Sequence, residues 1–221
     1  MKVVLATRNQ GKVAELRRIL APYRIELVSL DDVPPYEPAP EQGATFRDNA
    51  VAKAVEAARH TGLPAVADDS GLTVAALNGM PGVLSARWAG RHGDDAANLA
   101  LVLGQLEDVP DEPAGRRAAA FVCAAAAAIP GGERSGSFSG SGSGSGAPFE
   151  GPVVEICVEA QLRGTLLRAP RGAGGFGYDP IFVPDGHERT TAEMSPADKD
   201  AISHRGLAFR ALAPKLAAAL S

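Results

Sequence analysis

The chain has 221 residues, 45% hydrophobic and 22% charged, with 22 Lys and Arg against 26 Asp and Glu and a formal net charge of −4. This length supports one generous domain or two small lobes. The acidic balance argues against a duplex nucleic-acid binder, which carries a basic excess. Cys123 and Cys157 lie in apolar runs with no CxxC partner and no His at zinc spacing, so both are expected as reduced buried thiols. No leader pattern precedes Val3, and the alanine-rich run Ala118 to Ile129 is too short to cross a membrane. The expectation is a cytoplasmic protein with no membrane or nucleic-acid partner.

In chain order, Val3 to Ala6 is a short apolar run suited to a strand buried on both faces. A helical pattern opens at Gly11 and Lys12, carries Val13, Leu16, Ile19 and Leu20 on one face, and closes at Pro22. Ile25, Leu27 and Val28 predict a second strand, and Pro34 to Pro40 a loop. Thr45 predicts an N-cap, with Asp48 as the far half of a capping box. Pro64 to Ala67 predicts a strand ending in an acidic turn, Asp68-Asp69-Ser70-Gly71, after which Leu72 to Leu77 continues extended.

Asp94 to Leu106 predicts a helix, with Leu99, Val102, Leu103 and Leu106 as its buried stripe. Two long apolar segments, Arg117 to Ile129 and Val153 to Leu162, read as strands of a hairpin. Between them, 131–152 includes Ser-Gly repeats too poor in apolar groups to offset their ordering entropy, and reads as a flexible insert. A glycine-rich run, Gly172 to Pro180, leads into a strand Ile181 to Val183. Ser195-Pro196 predicts a helix start, and Ser203 caps a last helix that Pro214 should kink or interrupt. The fold class expected is α/β with an antiparallel hairpin element.

Four polar constellations carry chemistry. A buried strand that delivers Thr7-Arg8-Asn9-Gln10-Gly11-Lys12 to a helix start aims backbone N–H groups at an anion, and Lys12 adds a charge. The spacing is not that of a Walker A loop, and from this turn alone a solvated helix start is the better reading. Asp68 and Asp69 repel each other unless a divalent cation relieves them, and magnesium takes one or two carboxylates plus phosphate oxygens. An exposed Asx-type turn is the plainer alternative. Glu41 offers a third acid on a loop. Phe176-Gly177-Tyr178-Asp179 sets aromatics beside glycines, either as a base-stacking platform worth about 1–3 kcal/mol per base or as a tight turn with core aromatics. Lys199, His204 and Arg205 form a donor-rich group at a helix start, suited to phosphate or base carbonyls. No Ser-His-Asp or Cys-His arrangement competes, so the ensemble points to phosphate chemistry by metal-activated water.

Six ordered motifs then mark a resemblance. They are Thr7-x-Asn9-x-Gly11-Lys12, Glu41-x-Gly43-x-Thr45-Phe46-x-x-Asn49-Ala50 and Ala67-Asp68-Asp69-Ser70-Gly71-Leu72, followed by Pro81-Gly82-x-x-Ser85-Ala86-Arg87, Gly175-Phe176-Gly177-Tyr178-Asp179-Pro180 and Ser203-His204-Arg205-Gly206. From Met1 to about Leu220 the chain resembles the inosine/xanthosine triphosphate pyrophosphatase family. The resemblance implies a single domain, 1–221, of two lobes around a long central mixed β-sheet flanked by helices, with the active-site cleft between the lobes. It implies Mg²⁺-dependent hydrolysis of ITP, dITP and XTP to the monophosphate and pyrophosphate, usually by a homodimer. By the same resemblance Thr7, Arg8, Asn9, Gln10, Gly11 and Lys12 hold the triphosphate, and Glu41 and Asp69 are metal-site acids. Asp69 is also the catalytic base, and Ser70 contacts substrate. Phe176, Gly177, Tyr178 and Asp179 cradle base and sugar, and Lys199, His204 and Arg205 complete the pocket. A pocket of donors such as Arg205 would accept a 6-oxo purine and leave adenine's amino group facing donors. A catalytically silent nucleotide-binding module and a septum-formation-inhibitor-type enzyme acting on modified pyrimidines are the competing readings.

Overall fold

The computed structural model describes residues 2–23, 25–110, 115–131 and 148–220. Six strands form one mixed sheet in the order β2-β1-β3-β4-β5-β6. They are β1 Lys2–Leu5, β2 Glu26–Ser29, β3 Ala65–Val74, β4 Ala118–Pro130, β5 Val153–Leu166 and β6 Phe182–Pro184. β1 is parallel to both β2 and β3, and the pairs from β3 onward are antiparallel. Five helices flank the sheet: α1 Gln10–Leu20, α2 Phe46–Thr61, α3 Asp95–Gln105, α4 Pro196–Ile202 and α5 His204–Ala219.

Strand alternation sorts the cores. Val3, Leu5, Val66, Cys123 and Ala125 face α1 and α5, whose Leu16, Leu20, Phe209 and Leu212 complete one apolar cluster. Val4, Ala65, Ala67, Ala124 and Ala126 face the other way, onto Ala50, Ala54 and Ala57 of α2. The small residues on both sides let that helix lie close to the sheet. A third cluster, with Leu72, Val74, Phe121 and Phe182 against Val102 of α3 and Leu106 just past its end, covers the far end of the long strands. The sheet thus joins two lobes, as the resemblance implied.

The connection from β1 through α1 reaches β2 on one side. The next, through α2 on the opposite face, returns to β3 on the other side of β1. The carboxyl end of β1 is therefore a topological switch point, where open α/β sheets form their ligand crevice. The crevice is widened because β1 pairs with β3 only at Ala65 and Val66, while β3 runs on to Val74. Further along, the edge of β3 is taken again: the Leu72 amide donates to Ser85 Oγ at 2.9 Å, and Thr73 bridges to Pro81. Between these two covers lie Asp68, Asp69, Ser70 and Gly71.

Several expectations are corrected here. Asp68-Asp69-Ser70-Gly71 is not a turn but the middle of β3, because Asp68 pairs with Ala125 and Asp69 with Ala124 across an unbroken ladder. Tertiary pairing overrides the turn preference of these residues. The extended stretch stops at Val74, and Ala75–Leu77 forms a 3-10 turn. α5 runs uninterrupted past Pro214, since Leu212, Ala213 and Leu216 are buried in the first core and offset the one helical bond that proline cannot make. Cys123 is buried as expected, but Cys157 is only half-buried; both are free. The capping box at Thr45 is complete, with Thr45 Oγ1 accepting from the Asp48 amide and the Asp48 carboxylate from the Thr45 amide, each at 3.1 Å. The Ser-Gly repeats lie outside the described residues. At the insert's base, the Gly131 amide donates to the Pro152 carbonyl at 2.7 Å and closes the β4–β5 hairpin.

Candidate active site

A cleft of about 390 Å³ opens at the switch point, between the β1–α1 turn on one side and the Gly82–Arg87 3-10 turn on the other. Of the residues singled out from sequence, it gathers every one except Gln10, Gly11 and the buried Asp68. Gln10 and Gly11 form the start of α1. Asn9 caps this helix, its Oδ1 accepting from the Lys12 amide at 3.1 Å, while Thr7 Oγ1 accepts from the Asn9 amide at 3.2 Å. Among the described residues the Gln10 and Gly11 amides have no protein acceptor, which leaves two backbone donors at the helix start. Gly11 also lies under the Phe176 ring: a Cβ there would stand 3.1 Å from it, so any larger residue would push the aromatic away.

The two adjacent acids face opposite sides of the sheet. Asp68 points toward α1 and α5. Lys12 Nζ is 2.9 Å from its Oδ2, Arg205 Nε donates to the same oxygen at 3.1 Å, and Ser70 Oγ donates to it at 3.1 Å. Arg205, fully buried, also donates to Ser70 Oγ at 2.8 Å and to the Glu15 carboxylate. Burial alone would raise the Asp68 pKa, but Lys12, then Arg205 and Lys53, hold it far below the ordinary carboxylate range. Asp69 points toward α2. It accepts from Asn49 Nδ2 at 3.0 Å and from Lys53 Nζ at 3.3 Å, and Lys53 reaches Glu41 Oε1 at 2.9 Å. Burial here outweighs Lys53 and Asn49, so the Asp69 pKa is raised. For Glu41 burial acts upward too, but Lys53 prevails and the pKa is lowered. The repulsion expected between neighbouring carboxylates is thus avoided by the pleat, which gives each acid its own cations.

The remaining two constellations are less directly exposed to a ligand than sequence suggests. Asp179 accepts from the Phe176 amide at 2.8 Å, from Thr191 Oγ1 at 2.7 Å and from Lys199 Nζ at 2.6 Å, so both its oxygens are spent on shaping the loop. Tyr178 is buried, its hydroxyl donating to the Ser85 carbonyl at 2.9 Å, and the Gly177 amide donates to Asp95 at 2.8 Å. Phe176 is the accessible aromatic, with Lys199 Nζ 4.9 Å and the Arg205 guanidinium 5.7 Å from its ring centre. His204 stacks on Phe121 at 4.9 Å, and its Nδ1 is buried without a partner. Burial, followed by Arg205 and Lys199, pushes its pKa well below the ordinary value, so it is a neutral imidazole.

Sequence reasoning missed Glu15, Lys53 and Asp95, and it named Asn49 and Arg87 only as motif residues, with no role. For two of these the signal was present: Asn49 and Lys53 recur at helical spacing with Glu56, a polar stripe on an otherwise alanine-rich helix. Across the cleft, Arg8, Lys12, Lys53, Arg87, Lys199 and Arg205 concentrate positive charge in an acidic protein. Glu41 and Asp69 converge on one cation position, now filled by the Lys53 ammonium. Among the described residues no three His, Cys, Asp or Glu side chains gather to form a metal cage.

Fold and site together define an α/β protein with a cation-rich switch-point cleft suited to a polyphosphate, with two carboxylates at its edge. Comparison with known proteins narrows the class: residues 3–215 match the Ham1 family, and the chain belongs to it. A dITP/XTP pyrophosphatase of Nocardia farcinica is 56% identical over 220 residues, covering 98% of this chain and 95% of that protein. One from Mycobacteroides abscessus is 55% identical over 219 residues, with the same coverage. The solved Ham1 structures from Coxiella burnetii and Staphylococcus aureus are 40% and 31% identical, each with a TM-score of 0.76. The first covers 98% of both chains, and the second 99% of both.

Proposed function

We propose that this protein is a nucleoside-triphosphate pyrophosphatase that cleaves the α–β phosphoanhydride of dITP, ITP and XTP, releasing the monophosphate and pyrophosphate. One observation carries the reading. The α1 N-terminus with Lys12 and the Glu41–Asp69 pair face the same cleft, so a phosphate chain held by the first lies beside the second.

The Gln10 and Gly11 amides, Lys12 and the side chains of Thr7, Arg8 and Asn9 bind the phosphates. Phe176 stacks on the purine, and the loop pinned by Asp179 holds it there. Two carboxylates completed by phosphate oxygens suit Mg²⁺ better than an all-protein cage would, so Glu41 and Asp69 fit as its protein ligands. When bound, the ion supplies neutralisation of phosphate charge and Lewis acidity. Asp69 takes the proton of the attacking water; its raised pKa makes it a stronger base than an ordinary aspartate. Asn49 keeps the carboxylate oriented. Glu15, Arg205 and Asp68 position Ser70 and Lys12 from behind rather than meeting substrate. The reading includes a homodimer acting in the cytoplasm as one domain spanning 1–221, supported by the family resemblance. No described helix is long and apolar enough to cross a membrane.

The test is a product analysis over ITP, dITP, XTP, GTP, ATP and modified pyrimidine triphosphates, with Mg²⁺ or with chelator. Equimolar pyrophosphate and monophosphate from the first three, dependent on Mg²⁺, is the expected outcome. Orthophosphate release, or preference for the pyrimidines, would overturn the proposal.

A further inference from the structure

We infer that Lys53 and the divalent cation of the proposed reaction are alternative occupants of one position, so the metal loads together with the nucleotide and not before it. The inference rests on the assignment of Glu41 and Asp69 as metal ligands. The Lys53 ammonium lies 2.9 Å from Glu41 Oε1 and 3.3 Å from Asp69 Oδ1, and its side chain is 21% exposed. It therefore stands where an ion shared by both carboxylates would stand. Magnesium requires oxygens at about 2.0–2.1 Å, and a doubly charged ion that close to both acids would repel the ammonium from the same oxygens.

The surroundings favour exchange of cations rather than collapse of the site. Asn49 Nδ2 holds the other oxygen of Asp69 at 3.0 Å, and Arg87 Nη2 donates to the Glu41 backbone carbonyl at 3.3 Å, so both acids stay placed whichever cation lies between them. Lys53 itself has a four-carbon stem and borders the open cleft. A triphosphate offers its ammonium new oxygens, and the same phosphates complete the metal's coordination sphere. With only two protein carboxylates and a resident cation, the site holds metal weakly until nucleotide supplies both. Free enzyme is then spared from accumulating a divalent ion that has no substrate to act on.

The experiment titrates the full-length protein with Mn²⁺, followed by electron paramagnetic resonance, with and without a non-hydrolysable α,β-methylene analogue of ITP. For the wild type, the analogue should tighten Mn²⁺ binding about tenfold or more. Lys53→Met and Lys53→Gln should each bind Mn²⁺ about tenfold or more tightly than wild type without the analogue, and their melting temperatures should rise with metal alone. Lys12→Met, which removes a cation that contacts Asp68 instead, should show no such gain. Folded Lys53 variants whose metal affinity matches wild type would overturn the inference while leaving the metal assignment standing. Absence of Mn²⁺ binding even with the analogue would instead remove the metal assignment, and the inference with it.

Discussion

Arg205→Met isolates the positioning role of a side chain that sequence alone assigns to the pocket. Arg205 is 1% exposed and its guanidinium serves Asp68, Glu15 and Ser70 together. Methionine fills similar space without charge. Asp68 keeps Lys12 at 2.9 Å, but among the described residues Glu15, 2% exposed, keeps as a hydrogen-bond donor only Ser203 Oγ at 3.4 Å. Removing one partner of a buried pair costs about 3–5 kcal/mol. At about 2–4 °C per kcal/mol for a chain this size, the melting temperature should fall by about 6–20 °C. Thermal unfolding followed by circular dichroism at neutral pH measures this. Glu15→Met in the same background removes the stranded carboxylate and should restore a large part of the loss, a coupling that only direct partners show. A single variant that melts within about 2 °C of wild type, or a double variant no more stable than the single, would refute the argument.

Asp69→Asn should lower pyrophosphate release by at least about 10²-fold, while calorimetry shows nucleotide affinity changed by less than about tenfold. The same substitution should hold or raise the melting temperature, whereas Asp68→Asn should lower it, because Asp68 is stabilised as an anion by the fold and Asp69 is not. His204→Phe keeps the stack on Phe121 and should flatten the acid side of the stability profile. The pKa of His204 is depressed in the fold, so only the unfolded chain takes up its proton below about pH 6.5. Wild-type stability therefore falls from there downward by up to about 1.4 kcal/mol per pH unit, measurable as melting temperature between pH 7 and 5. Asp95→Ala should raise KM for ITP several-fold with kcat little changed, since Asp95 holds the Gly177 amide. Asp95→Asn, which keeps an acceptor, should restore KM; a kcat effect in place of KM would count against this.

Elements whose ends carry local chemistry were legible in the sequence. Thr45, Ser195 and Ser203 each cap the helix they were expected to cap, because a side-chain oxygen answering an orphan amide is a short-range interaction; Asn9 caps α1 by the same chemistry, though it was not expected to. What escaped depends on chain segments far apart. The pairing of Asp68 and Asp69 with Ala125 and Ala124 lies more than fifty residues away, so local turn preference pointed the wrong way. Glu15 looks like any polar residue of an amphipathic helix until Arg205, 190 positions on, is placed against it. The expectation of Arg205 as a free donor for a purine carbonyl changes for the same reason: its donors face Asp68, Glu15 and Ser70, which selectivity arguments must now take into account.

The pleat of β3 explains how one short segment serves stability and chemistry at once. Consecutive residues of a strand face opposite sides, so Asp68 enters the α1–α5 side with two cations in contact and is held strongly ionised. Asp69 enters the α2 side, where burial outweighs its pairing and leaves it more basic than usual. Two carboxylates on one face would have been driven toward sharing a proton or a cation. Separated, one can anchor Lys12 and Arg205 while the other keeps the unfavourable ionisation that suits a base. A one-residue slip of β3 against β4 would exchange the two environments. The ten-residue register between these strands, continued by the long β4–β5 hairpin, is thus itself a determinant of which acid faces the cleft edge that Glu41 and Lys53 share.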